Sequence, residues 1–285
     1  MDQRIINLYD GFTHGRINRR DFLDRLASLA GSTAAAAALL PLLQNDYAKA
    51  AIVAPDDARL AIESISYDAA GTKMSGYLAR LKENARRPAV IVIHENRGLN
   101  PHIQDVARRL ALEGFHAVAV DVLSQLGGTP ADEDKARQMF GALRPEDGEK
   151  WLAAAVPFLA THPQSNGKVG AVGFCWGGGM VNRLAAASPE LAAGVSYYGQ
   201  QIPAERVPAI RAALLLHYAG NDNFINPGIA AYESALKANN KRYQLFVYEG
   251  AQHSFNNDTA GARYNKAAAE LAWQRTVAFF KENLR

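Results

Sequence analysis

The sequence predicts an α/β fold in which a mostly parallel sheet is flanked by helices on both faces. Three observations carry this. Beyond Pro88 the chain alternates short, continuously apolar runs with amphipathic stretches of helical period. Such unbroken runs mark strands buried on both faces, because a strand with one wet face alternates instead. The third observation is composition: 48% of the 285 residues are hydrophobic, and 31 Lys and Arg against 28 Asp and Glu leave a charge of only +3. That is an ordinary globular chain. So small a charge, with no long basic run, argues against nucleic acid as a partner. The single cysteine, Cys175, excludes an internal disulfide and a Cys-cluster zinc site.

Residues 1–50 read as a unit apart from the domain at 51–285. Asn18-Arg19-Arg20-Asp21-Phe22-Leu23 sets a paired arginine before a Phe-Leu step, and an Ala/Leu-rich stretch fills 26–43. Ala48-Lys49-Ala50 then offers the small-x-small pattern of a signal peptidase site. In this order the segment resembles a twin-arginine export signal, which implies the twin-arginine machinery as a partner and a periplasmic location. Asp2, Asp10 and Asp24 depart from the basic character of such signals. The alternative is a cytoplasmic protein that retains the segment as a helix over Arg19–Leu40, docked on the domain or on a second subunit. The apolar stretch is too short and too alanine-rich for a stable membrane span.

Residues 52–58 read as a linker. Two alternating stretches, Leu60–Tyr67 and Lys73–Leu81, flank a turn at Ala70-Gly71 and predict an antiparallel hairpin. The apolar runs that follow are Ala89–Ile93, His116–Val120, Val169–Val172, Gly194–Tyr198, Ala212–His217 and Gln244–Tyr248. Helical periods lie between them at 102–113, 132–142, 146–160, 177–187, 227–239 and 264–283. Parallel sheets place their chemistry at the carboxyl ends of the strands. The candidate residues all fall there.

Val169–Val172 runs into Gly173-Phe174-Cys175-Trp176-Gly177, and a helix follows. A Gly-x-nucleophile-x-Gly turn between strand and helix is a nucleophile elbow, with Cys175 as the nucleophile. A helix N-terminus also favours the thiolate. The base needed beside it is His253, in the loop after Gln244–Tyr248, and Asp222, after Ala212–His217, orients that base. Of the other histidines, His14 lies in the N-terminal segment, His116 starts a strand and His162 ends a helix. His217 packs in a strand, and His102 opens a helix as a solvated side chain. Ala89–Ile93 ends in His94-Glu95-Asn96-Arg97-Gly98-Leu99. The backbone amides of Asn96 and Trp176 are the expected oxyanion donors. Glu95 is placed to take the thiol proton, the alternative being a surface ion pair with Arg97.

These two runs, together with Gly220-Asn221-Asp222-Asn223-Phe224 and Gly250-Ala251-Gln252-His253-Ser254-Phe255, resemble the dienelactone hydrolase family over most of residues 60–285. The resemblance implies an α/β-hydrolase fold, a Cys-His-Asp triad of Cys175, His253 and Asp222, an elbow-facing Glu95, and no metal or organic cofactor. It also implies two arginines that grip a substrate carboxylate. Their positions fall on Gln125 and Asn257, so both cations are missing. Neutral amides cannot reproduce a charged, bidentate fork. The expected substrate is therefore a small ester or lactone, not selected for negative charge, bound near Gln125, Asn257, Phe224 and Phe255. Phe174, Trp176 and Tyr197 are further candidates for an apolar pocket wall. The expected assembly is a monomer or homodimer. The alternatives are a thioesterase or other acyl hydrolase with the same triad, or a non-catalytic thiol redox sensor or binding protein.

Overall fold

One eight-stranded sheet organises the chain, in a computed structural model that describes residues 1–47, 51–83 and 85–285. The motif Ala48-Lys49-Ala50 lies outside the described residues. Strands β1 (Leu60–Asp68) and β2 (Lys73–Leu81) form the expected hairpin, in register from Leu60 opposite Leu81 to Asp68 opposite Lys73. The remaining strands are β3 (Arg87–Ile93), β4 (His116–Asp121), β5 (Ser165–Phe174), β6 (Ala193–Tyr197), β7 (Ala213–Asn221) and β8 (Tyr243–Gln252). Their order is β1-β2-β4-β3-β5-β6-β7-β8; β2 pairs antiparallel with β4, and every later pair is parallel.

The apolar runs are strands, buried on both sides in β3 to β7; the expectation is corrected for β8, which closes the sheet edge and leaves Val247 exposed. In β3, Ile91 and Ile93 enter the hydrophobic core on one face of the sheet, while Val90 and Val92 enter the core on the other. That alternation is the two-residue period of a strand, hidden in the sequence because both faces are dry. The sheet is thus a mostly parallel, mixed α/β-hydrolase sheet with helices on both faces, as expected.

Three helices precede it: α1 (Gln3–Thr13), α2 (Arg19–Ala30) and α3 (Thr33–Leu43). The expected single helix over Arg19–Leu40 is corrected here to two, set at 110° to each other. Gly31 ends α2 in the left-handed region at φ 85°, and the Ser32 side chain caps α3 by accepting from the Ala35 amide. Helix α1 is not among the expected elements, although its signal is present in the sequence. Asp2 caps it, and Ile5, Tyr9 and Phe12 fall on one face. Those residues pack with Phe22, Leu26, Ala36 and Leu43 into a third core of the segment's own. Burying a leucine as completely as Leu26 contributes about 1.5–3 kcal/mol.

Polar contacts join this segment to the sheet domain. Asn96 Nδ2 donates to the Thr13 carbonyl at 2.7 Å, and buried Arg263 faces buried Asp10 at 3.7 Å. Arg19, the first of the paired arginines, is ion-paired with Asp134. Among the described residues no single helix is long and apolar enough to cross a membrane.

The domain helices are α4 (Pro101–Leu112), α5 (Glu133–Gly141), α6 (Pro145–Ala160), α7 (Trp176–Ala187), α8 (Ile229–Ala238) and α9 (Lys266–Asn283). At the start of α4, His102 is buried rather than solvated, with Nδ1 2.9 Å from Asp258. A partner 156 residues away in sequence drew it inward, beyond the reach of any local pattern.

Candidate active site

The turn from β5 into α7 presents the thiol. Cys175 adopts φ 54°, ψ −115°, a strained conformation for a residue with a side chain. The flanking glycines make the turn sterically feasible. A Cβ on Gly173 would lie 2.1 Å from the Gly177 carbonyl oxygen, and one on Gly177 would lie 2.3 Å from the Ile93 oxygen. Trp176 is the first residue of α7, so Cys175 stands at the positive end of a helix dipole.

Two strands further along the sheet, β7 ends just before Asp222 and β8 just before His253. Asp222 Oδ2 lies 2.5 Å from His253 Nδ1, while Oδ1 accepts from the amides of Phe224 and Ile225 at 3.1 Å. The carboxylate therefore fixes the ring with Nε2 free to act. That nitrogen is buried, has no hydrogen-bond partner, and lies within 4.8 Å of Cys175 Sγ.

A second imidazole meets the same sulfur. His14, at the end of α1, lies with Nε2 3.2 Å from Cys175 Sγ, and its Nδ1 lies 2.7 Å from the Asp10 carbonyl oxygen. The His14 and His253 rings meet edge to face with centroids 4.7 Å apart. Sequence reasoning set His14 aside with its segment. No local motif marks it; only the docking of α1 brings it across 161 residues to the thiol.

The electrostatics follow from this geometry. Burial pushes the Cys175 thiol up, but the charges of His14 and His253, with the His14 hydrogen bond, outweigh it and bring the pKa down to about 6. Burial likewise opposes charge on His253, yet the Asp222 carboxylate and the Cys175 thiolate hold its pKa well above the usual range. Asp222 is lowered despite burial, chiefly by the charge of His253.

Glu95 is buried and faces inward. Its Oε2 accepts from Asn257 Nδ2 at 3.1 Å, and the Tyr198 hydroxyl lies 3.5 Å from Oε1. The alternative pairing with Arg97 does not form, because Arg97 pairs instead with Glu133 at 2.9 Å. His94 fixes the loop: Nδ1 donates to the Glu95 carbonyl at 2.7 Å, and Nε2 accepts from the Val122 amide at 3.2 Å.

A cavity of about 480 Å³ opens over the thiol, with Cys175, His253, His14, Asn96, Trp176 and Phe224 on its wall. Four expected site residues are placed as follows. Phe224 is there, half-exposed. Asn257 is fully buried and orients Glu95 instead of facing the cavity, while its Oδ1 accepts from Thr259. Gln125 sits exposed on a short turn away from the cavity wall. Phe255 is core, packed on Tyr198 and Tyr248 with ring centroids 5.4 and 5.0 Å away. Phe174 and Tyr197 are buried core as well. Two cations not foreseen stand on the wall, Arg137 from α5 and Arg16 from the N-terminal segment. Arg16 lies over the Phe224 ring at 3.4 Å.

Residues 74–284 match the family described as dienelactone hydrolase, and residues 1–31 match one described as YqhI-like. A protein of Escherichia coli strain K12 named "Putative carboxymethylenebutenolidase" is 33% identical over 244 residues, covering 80% of this chain and 89% of its own. A Bradyrhizobium protein named "Probable 2-oxo-3-(5-oxofuran-2-ylidene)propanoate lactonase" is 30% identical over 241 residues, covering 79% and 96%. Among solved structures, a dienelactone hydrolase-like promiscuous phosphotriesterase from metagenomic libraries superposes with a TM-score of 0.71 at 26% identity, covering 80% of this chain and all of its own. A structure from Klebsiella pneumoniae described as a "Putative Dienelactone Hydrolase" gives 0.69 at 28% identity, covering 78% and 99%.

The thiol's environment sets its reactivity. Alkylation of Cys175 by iodoacetamide should titrate with a midpoint near pH 6, far below an ordinary thiol. The thiolate, and with it the rate, is lost as pH falls through that value. In His14→Ala the midpoint should rise; an unchanged midpoint would show that His14 has no hold on the sulfur.

Proposed function

The chain belongs to the dienelactone hydrolase family and is a hydrolase acting on esters or lactones, and from that premise we propose that it works through a Cys175-His253-Asp222 triad and a thioester intermediate. The observation that carries this is His253, held on Asp222 by Nδ1 while its unpartnered Nε2 faces the Cys175 sulfur in the cavity. The Cys175 thiolate attacks the substrate carbonyl carbon. The backbone amides of Asn96 and Trp176 receive the oxyanion. As the tetrahedral intermediate collapses, the carbonyl carbon–oxygen bond to the alcohol breaks, and His253 gives that oxygen a proton. His253 then takes a proton from water, whose oxygen attacks the thioester and releases the carboxylic acid and the thiolate. Glu95, held by Asn257 and the Tyr198 hydroxyl, is the second carboxylate we assign to receiving the thiol proton.

The expected indifference to substrate charge rested on Gln125 and Asn257. Arg16 and Arg137 on the cavity wall support the opposite reading, an ester or lactone whose acyl part carries a carboxylate. A charged hydrogen bond of this kind contributes about 1.5–3 kcal/mol, or roughly 10- to 100-fold in affinity.

For residues 1–50 we favour retention over cleavage. The buried Asp10–Arg263 pair, the Asn96–Thr13 bond and the His14–Cys175 contact support it, since removal would strip the thiol of a neighbour and leave Arg263 without its acid. Retention goes with the cytoplasmic reading and cleavage with twin-arginine export to the periplasm.

Two tests follow. Cys175→Ala should lower turnover by about 10⁴-fold or more, and Arg16→Gln with Arg137→Gln should weaken an anionic lactone by at least about 10-fold more than a neutral p-nitrophenyl ester. Persisting activity would remove the triad, and an equal loss on both substrates would remove the anion reading. Intact mass of the protein from its native cell should include residues 1–50, whereas a chain beginning near residue 51 would support export.

A further inference from the structure

The sulfur of Cys175 has more partners than hydrolysis requires. A triad needs one base beside its nucleophile, yet here His14 Nε2 and His253 Nε2 both converge on Sγ. The three donor atoms lie within 4.8 Å of one another. Each ring is anchored through its other nitrogen, His14 on the Asp10 carbonyl and His253 on the Asp222 carboxylate. Such anchoring of the distal nitrogen is how proteins orient metal-ligating histidines and set their tautomer. His253 Nε2 is moreover buried without a hydrogen-bond partner, a polar atom aimed into the cluster.

We infer that His14, Cys175 and His253 form a three-ligand site for one zinc-class divalent cation, which silences the nucleophile when bound. Metal–sulfur and metal–nitrogen bonds of about 2.3 and 2.0–2.1 Å place tetrahedral donors roughly 3.3–3.6 Å apart, and the Sγ–His14 Nε2 separation is 3.2 Å. The other two separations lie within 4.8 Å, so a metal fits with ring movements of at most about 1.5 Å. Two imidazoles and a thiolate select zinc over hard cations such as magnesium or calcium. The fourth position faces the cavity, where water or a substrate group can occupy it. On binding, the cation takes the lone pairs of Sγ and both Nε2 atoms, and the proton these atoms share leaves to solvent. Sulfur held in that way no longer attacks a carbonyl. Binding of the metal stands on geometry alone; its effect on turnover rests on Cys175 being the nucleophile. One ligand belongs to the N-terminal segment, so the site exists only while that segment is docked.

The test is zinc titration of the full-length, metal-free protein against a chromophoric chelator, with Co²⁺ as the spectroscopic probe. Wild type should bind one equivalent of Zn²⁺, and Co²⁺ should give tetrahedral ligand-field bands with a thiolate charge-transfer band. Iodoacetamide should no longer label Cys175 in the zinc-bound protein. Loss of an outer partner alone costs metal sites 10- to 100-fold, so removing the ligand itself, in His14→Ala and separately in His14→Gln, should weaken Zn²⁺ by more than about 100-fold. The charge-transfer band should vanish in Cys175→Ala. Equal zinc affinity in both His14 variants, or a charge-transfer band that survives in Cys175→Ala, would overturn the site. Failure of the triad reading would show separately, as hydrolysis by metal-free Cys175→Ala.

Discussion

Lowering the pKa of a buried thiol is the constraint on which the rest of this site depends. Desolvation raises a thiol, and at 8% exposure Cys175 sits almost wholly out of water. Only close cationic or donor groups can reverse that effect, and the chain supplies two imidazoles and a helix N-terminus. Everything that places those groups is then under strain or close contact. The elbow holds Cys175 at a positive φ. Glycines on either side leave no space for a Cβ, and Asp222 spends both carboxylate oxygens on orienting His253 and its own loop.

The second consequence is that the sheet domain does not complete its site alone. Parallel strands bring Cys175, Asp222 and His253 to one edge, as their order in the chain requires. His14 and Arg16 arrive from a helical segment with its own small core, which meets the domain through the Asn96–Thr13 bond and the Asp10–Arg263 pair. The segment changes both the charge of the thiol and the charge of the cavity. In the proposed chemistry the first concerns the nucleophile and the second the acid part of the substrate.

The sheet, the elbow and the loops carrying Asp222 and His253 were legible in the sequence because each is encoded locally. Unbroken apolar runs give buried strands, Gly173 and Gly177 bracket the turn, and the two loop residues follow strands in order. Long-range residues were not legible. His14 and Arg16 belong to a segment whose Arg19-Arg20 pair and alanine run resemble an export signal, and that composition masked the Ile5, Tyr9 and Phe12 face of α1. His102 looked solvated at a helix start because Asp258 lies 156 residues away. The sequence pattern puts Asn257 beside the substrate, whereas its amide orients Glu95. In each case a partner distant in sequence, and not the local pattern, decided where the side chain went.

The most direct measurement is mass spectrometry of the protein quenched in acid during turnover of a slowly hydrolysed ester. An acyl adduct on the peptide carrying Cys175, absent after a chase without substrate, is the expected result. Acylation of another residue, or hydrolysis with no adduct at any quench time, would contradict a cysteine nucleophile held between two histidines.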